Sequence, residues 1–321
     1  MTSKFNKHVL ASLVAAAAVA CAAGPAFAAA PMAKTPAPGY FRVMLGAFEV
    51  TPLSDGTVDL PVDQLLHQKP EQTRAELAKS FQKVPLETSD NAYLVNTGSK
   101  LVLIDTGAGA LFGPTLGKLV ANLKAAGYQP EQVDEIYITH FHGDHVGGLA
   151  SNGQAVFPNA IVRAAKHEAD FWLSEEVMNK APADKKGYFQ AAQGVLAPYV
   201  KAGKLQTFDG DVELVPGVRA NTGHGHTPGH TTYTVESQGQ KLVLIGDLIH
   251  VAGVQMAHPE VTIGFDSDEK TAAAERKKTF DAAAKGGYLI GGAHLQFPGM
   301  GHLRTEGKGY RYVPVNFTQM R

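Results

Sequence analysis

The sequence predicts an α/β fold made of two similar half-sheets packed face to face, with helices outside. Three observations point to it. Short apolar runs punctuated by glycine recur along the chain, as strands do. Helical periodicity is confined to a few separate stretches. One strand–turn–strand unit ending in aspartate occurs twice: Asn91–Gly107 contains KLVLID (Lys100–Asp105), and Thr231–Asp247 contains KLVLIGD (Lys241–Asp247). An internal duplication accounts for that repeat better than chance strand composition.

In chain order, the first segment is an address. Lys4, Lys7 and His8 precede an uncharged Ala/Val/Leu run from Val9 to Ala23, then GPAFA (Gly24–Ala28). This is the pattern of a secretory signal peptide over 1–28, and the apolar run is shorter than the ~20 residues of a membrane span. Lipidation at Cys21 is the alternative, although the leucine usual before such a cysteine is absent. A periplasmic or secreted protein is expected. Residues 29–39, rich in Ala and Pro, read as a flexible leader, and 40–321 as one domain without an internal linker.

Strands are expected at Phe41–Leu45, Ala92–Asn96, Leu101–Asp105, Glu135–Thr139, Ala160–Ala164, Thr232–Glu236, Leu242–Gly246 and Tyr288–Ile290. Helices are expected over 114–126 and 268–285. The second of these starts at Asp/Ser caps and stops at Gly286-Gly287. A mostly helical stretch, 166–201, is expected to break at Pro182 and Pro198.

Composition narrows the function. Lys and Arg number 29 against 30 Asp and Glu, so clustered positive charge for nucleic acid is not expected. Apolar residues make up 44%, enough for a packed core, and the single cysteine excludes a disulfide framework or a Cys-rich zinc module. Thirteen histidines are the unusual feature.

Six of the residues that matter most are consecutive: His140-Phe141-His142-Gly143-Asp144-His145. Burying three imidazoles and a carboxylate this close together is costly without a shared cation. His140 and His142 could converge on one ion, Asp144 and His145 on another. Further candidates stand just past strands: His226 in GHTPGH (Gly225–His230), Asp247 at the end of the repeated strand, and His294 after YLIGGA (Tyr288–Ala293). Histidine and carboxylate ligands suit zinc, and two ions about 3.5–4 Å apart make a hydrolytic site.

With these motifs in this order, the chain resembles the metallo-β-lactamase-fold hydrolases over most of its length. The resemblance implies an αββα sandwich, with His140, His142 and His226 on a first metal, Asp144, His145 and His294 on a second, and Asp247 bridging. Two divalent ions per chain, zinc by expectation, would hold the attacking hydroxide. Asp247 and Asp144 are the acidic residues at the reacting centre, Asp247 also as proton carrier. Asp105 and His230 are implied as supports behind the ligands. The segments LETS (Leu86–Ser89), YLVNTGSKLVL (Tyr93–Leu103), EADFWLS (Glu168–Ser174) and GGYLIG (Gly286–Gly291) are similar to the secreted methyl parathion hydrolase branch, which includes lactone-opening relatives. That branch implies a homodimer acting on a small neutral lactone, ester or phosphotriester.

Phe112, Trp172 and Phe189 match aromatic positions at that branch's pocket mouth, though any single aromatic is more often core. Phe265 and His250 are expected to narrow the pocket, with Leu65 as a further apolar position, and a tight slot favours a flat aryl lactone over a tetrahedral phosphotriester. His250 is equally readable as packing, and His224 as orienting or merely local. His67, His167, His258 and His302 are expected at the surface or in ordinary packing. A β-lactamase, a glutathione thioesterase, a nuclease, a one-iron sulfur dioxygenase and a non-catalytic metal binder are the rival readings. Metal analysis and turnover separate them.

Overall fold

Seven strands from the first two-thirds of the chain pair in sequential order: β1 (Val43–Leu45), β2 (Phe48–Leu60), β3 (Leu86–Asn96), β4 (Leu101–Ile104), β5 (Glu135–Tyr137), β6 (Ile161–Ala165) and β7 (Leu205–Phe208). A second seven-stranded sheet follows: β8 (Val212–Val215), β9 (Val218–Thr222), β10 (Thr231–Ser237), β11 (Gln240–Leu244), β12 (Leu289–Gly291), β13 (Met300–Glu306) and β14 (Gly309–Pro314). This computed structural model describes residues 30–319. The export signal read over 1–28 lies outside them. The sheets belong to the unit Pro38–Arg321, distinct from Met1–Ala37.

Side-chain parity along the strands assembles the layers. In β4, Val102 and Ile104 join Leu242 and Leu244 of β11 in the core between the sheets. The alternate residues Leu101 and Leu103 face an outer core shared with Leu123, Trp172 and Leu196 from helices. In the other sheet Val243 and Ile245 face Phe280 and Ala283. Both sheets therefore read as near-continuous apolar strands, because each is covered on two faces. Tyr137 and Tyr233 stack across the central layer with centroids 5.6 Å apart.

The helices are α1 (Val62–Leu65), α2 (Pro70–Lys79), α3 (Leu119–Ala125), α4 (Gly143–Val146), α5 (Lys166–Trp172), α6 (Glu175–Lys180), α7 (Lys186–Lys201), α8 (Ala252–Gln255) and α9 (Glu269–Gly286). Helix α9 matches its sequence signals: Asp268 accepts from Thr271 N at 3.0 Å, and Gly287 ends it at φ +63°. The helix expected over 114–126 is shorter. Gly117 sits at φ +78°, and the Asp55 carboxylate takes the N–H groups of Ala108, Gly117 and Leu119, which holds the preceding residues in turns. The stretch 166–201 is three helices, and Pro198 does not break the last. It stands in the final turn, where Val195, Leu196 and Tyr199 are buried and packing outweighs the lost hydrogen bond.

The repeated units occupy equivalent places. β3 and β4 form a hairpin with Tyr93 opposite Ile104, and β10 and β11 form one with Tyr233 opposite Leu244. In each, the second strand pairs in parallel with the next strand, β5 or β12. Asp105 and Asp247 therefore leave corresponding strand ends and reach the same edge of the sandwich.

Candidate metal centre

Loops from both sheets bring seven predicted ligands together at that edge. His140, His142, His226 and Asp247 form one group of converging donor atoms, and Asp144, His145, Asp247 and His294 a second; within each, the atoms lie within 4.8 Å of one another. His142 Nδ1 is 3.0 Å from His140 Nε2 and 3.0 Å from His226 Nε2. Asp247 belongs to both groups: Oδ1 is 3.2 Å from His145 Nε2, and Oδ2 is 3.1 Å from His294 Nε2 and 3.4 Å from His226 Nε2.

The outward bonds fix which ring nitrogens face inward. Thr139 Oγ1 donates its one proton to Asp105 Oδ2 at 2.8 Å, so it accepts from His140 Nδ1 at 3.0 Å. His145 Nδ1 donates to Asp105 Oδ2 at 2.9 Å, His226 Nδ1 to Asp266 Oδ1 at 3.0 Å, and His294 Nδ1 to the Ser89 carbonyl at 3.0 Å. Each of these four rings thus turns its Nε2 inward, the arrangement in which outer partners prepare imidazole for a metal. Burial holds His140, His142 and His226 well below the usual histidine range, and so neutral at pH 7. Burial works against charge on Asp247, His145 and His294 alike, but their mutual attraction, with Asp144 beside them, outweighs it: the two rings are raised above the usual histidine range and the Asp247 carboxyl is held well below the carboxylate range, so a cation bound there would take the place of the ring protons. His145 Nε2 and Asp247 Oδ1 are buried without a hydrogen-bond partner among the described residues. Converging ring nitrogens and orphaned buried polar atoms are what divalent cations would satisfy, so the residues present fit metal ions.

His230 is consumed otherwise. Its Nδ1 donates to the Gly223 carbonyl at 2.9 Å and its Nε2 accepts from Asp247 N at 3.0 Å, so it orients the shared carboxylate from behind. Gly246 is required beside it: a Cβ there would lie 2.6 Å from His230 Nε2, at φ +50°. Asp105 supports the ligand loop through Thr139 N, Thr139 Oγ1 and His145.

Two supporting residues were missed by sequence reasoning. Asp266, next to the predicted Phe265, holds His226. Glu168, in the EADFWLS segment, accepts from Phe141 N, Thr227 Oγ1 and Gly229 N, each at 2.8 Å, and so ties the HFHGDH loop to the GHTPGH loop. Its buried carboxyl is pushed up to about 7 by desolvation, although those donors favour the charged form. Glu168→Ala would orphan three buried donors. The expected loss is roughly 3–5 kcal/mol of stability, at ~1–3 kcal/mol per unpaired group with partial relaxation. Urea unfolding measures it, and a change below about 1 kcal/mol would mean the loops are held by other contacts.

A cavity of about 650 Å³ opens on the cluster, within the size range of small-molecule sites. Phe112, Trp172, Phe189, His250 and Phe265 all line it, together with Phe171, Tyr188, Val58 and Leu60, which were not predicted. Trp172 meets His142 edge-on at 5.4 Å and Phe189 at 4.7 Å. His250 stacks on His294 at 5.1 Å and lies 5.8 Å from Phe265. Leu65 corrects the expectation. It packs in a cluster with Val62, Leu66 and Ile263 behind Phe265, and its carbonyl accepts from Gly264 N. Leu65 is the last residue of α1, and its side chain packs into this cluster. His224 lies beside His167 at 5.6 Å, apart from the ligand groups. His67, His167 and His302 are exposed and His258 is half-buried.

The sandwich, the paired ligand groups at its edge and the order of their motifs define a class, and comparison with known families agrees. The description "Metallo-beta-lactamase superfamily" matches residues 87–285, and the chain belongs to that superfamily. It is a metal-dependent hydrolase. Among solved structures it is similar to the hydrolase AbOPH of the beta lactamase superfamily, with 38% identity over 89% of this chain and 100% of that one, at a TM-score of 0.85. It is also similar to AidC, described as a dizinc quorum-quenching lactonase in complex with a product, with 29% identity over 88% and 99% of the two chains and a TM-score of 0.81. An N-acyl homoserine lactonase from Bacillus sp is 28% identical over 205 residues, 60% of this chain and 73% of the Bacillus protein.

Proposed function

We propose that this protein opens lactones, with flat aryl lactones favoured and phosphotriester hydrolysis, as in methyl parathion hydrolase, a secondary activity. The observation that carries the reading is the aromatic-walled cavity ending on the histidine–aspartate cluster, narrowed there by His250 and Phe265. Similarity to AidC and to the Bacillus lactonase supports a lactone as the substrate class. In this reading His140, His142 and His226 would hold one zinc-type ion and Asp144, His145 and His294 a second, with Asp247 available to both. Divalent ions there supply a water nucleophile active at neutral pH and polarise the carbonyl or phosphoryl oxygen.

The chain's own residues do the rest. Asp247, gripped through its N–H by His230, keeps both ligand groups in register, and its carboxylate takes the proton given up by the attacking water and passes it to the leaving oxygen as the ring C–O bond breaks. Asp144 places its carboxylate 3.6 Å from both His145 Nε2 and His294 Nε2, at the cavity face. Trp172, Phe189 and Phe265 exclude water and receive the apolar body of the substrate.

The test is a turnover panel of aryl lactones, acyl-homoserine lactones, aryl esters, methyl parathion and a β-lactam, before and after chelation. Lactones should show the highest kcat/KM. Activity should vanish in chelator and return with added zinc, and elemental analysis should find two ions per chain. Highest turnover on the phosphotriester would reverse the ranking, and one iron per chain would favour the dioxygenase alternative. Export and a homodimer belong to the same reading. N-terminal sequencing of periplasmic protein should begin at Ala29, and light scattering should give twice the chain mass.

A further inference from the structure

We propose that Arg276 is a positioning residue that sets ligand His226, the Asp247 turn and the cavity wall at Phe265 in one register; this rests on the reading of His226 and Asp247 as metal ligands. Arg276 is fully buried on α9, the largest fully buried side chain among the described residues. Its Nε donates to the Leu248 carbonyl, the residue after Asp247. Its Nη1 donates to the carbonyls of Pro259 and Val261 at 2.7 and 2.8 Å. Its Nη2 lies 3.8 Å from Asp266 Oδ2. That carboxylate accepts from Ile263 N at 3.2 Å and, through Oδ1, from His226 Nδ1 at 3.0 Å. The Val261 carbonyl also accepts from Gln255 Nε2, and Gln255 Oε1 takes the N–H groups of His250 and Val251.

One guanidinium therefore reaches a turn that carries a ligand, the loop that carries Phe265, and the carboxylate that orients another ligand. Removing a guanidinium from water is expensive, and an apolar residue here would pack with less cost. What an apolar residue cannot supply is a planar fork of donors with fixed directions, which holds three separate backbone carbonyls and faces a carboxylate. Partners behind a metal-binding histidine set ring orientation, and losing them typically costs about 10–100-fold in metal affinity.

The experiment titrates zinc into metal-free protein by calorimetry and measures kcat and KM on one aryl lactone. Wild type is compared with Arg276→Lys, with Asp266→Asn, and with Phe280→Leu as a control on the same helix. Phe280 packs in the outer core among apolar side chains, so its variant reports destabilisation without loss of a polar bond to the ligand turns. Arg276→Lys should weaken one of the two zinc steps about 10-fold or more and raise KM, and Asp266→Asn should weaken the same step. Phe280→Leu should lower the melting temperature of metal-free protein without changing zinc affinity. If Arg276→Lys does not fold, Arg276→Gln, which keeps a planar donor group, takes its place. Unchanged affinity in the folded variants, or an equal loss in Phe280→Leu, overturns the positioning role while the metal reading stands. Absence of zinc uptake by wild type overturns both.

Discussion

Asp247→Ala should empty both ligand groups together and lower kcat/KM by roughly 10²–10³-fold or more, the scale on which loss of a positioned electrostatic group is felt. The expectation comes from the place of one side chain in two clusters. Its oxygens lie 3.1–3.4 Å from the inward nitrogens of His145, His226 and His294. Removing it leaves five histidines and Asp144 to hold two cations, with nothing shared between them. Asp247→Asn is the sharper variant. It keeps the shape and the backbone bond to His230 but lacks the charge. Both variants should show reduced metal content by elemental analysis, Asn less so than Ala. A variant that retains two ions and normal turnover would remove Asp247 from the reacting centre. Loss of one ion with unchanged activity would remove its shared role.

Specificity should move in the opposite direction when the cavity is widened. His250 lies flat on His294 at 5.1 Å, and Phe265 stands 5.8 Å from His250, so the two rings form one wall beside the metal cluster. A phosphotriester has a tetrahedral centre and needs depth on several sides, whereas a fused aryl lactone is nearly flat. Replacing either ring with leucine removes an aromatic face and leaves a flexible aliphatic group. The ratio of kcat/KM for methyl parathion to that for an aryl lactone should then rise by about 10- to 200-fold, the span of ~1–3 kcal/mol that apolar pocket contacts supply. Phe265→Leu is the cleaner variant, because His250 Nε2 also lies 3.1 Å from Asp247 Oδ2 and its loss touches the cluster. Metal content should be unchanged in Phe265→Leu. An unchanged ratio in both single variants and the double would remove the physical basis for ranking lactones first.

Much of this was readable along the chain, for a local reason. Strand ends, turns and ligand motifs are short-range patterns. The repeated hairpin announces two half-sheets because each copy carries its own turn and its own terminal aspartate. The HFHGDH loop announces a cation because unpaired charges and imidazoles at that density are otherwise too costly to bury. Sequence also marked the start and end of α9, where cap and glycine are adjacent to the helix they bound.

What escaped was set by contacts between distant segments. The 13-residue β2 was not expected at all. A register shift between Ser54 and Gly56 carries it onward, and that brings Val58 and Leu60 to the cavity while Leu65 packs with Val62 and Ile263. Pro198 reads as a helix breaker until the burial of its neighbours is known. Glu168 meets its partners 27, 59 and 61 positions away, and Asp266 meets His226 across 40, so no local pattern marks either carboxylate as part of the site. The amino-acid sequence by itself determined the two-sheet plan and the seven inward side chains, because strand period and ligand spacing are properties of neighbouring residues. Only the tertiary structure decided which carboxylates brace those ligands and which rings wall the cavity, because these depend on where separate loops meet once the sheets have packed.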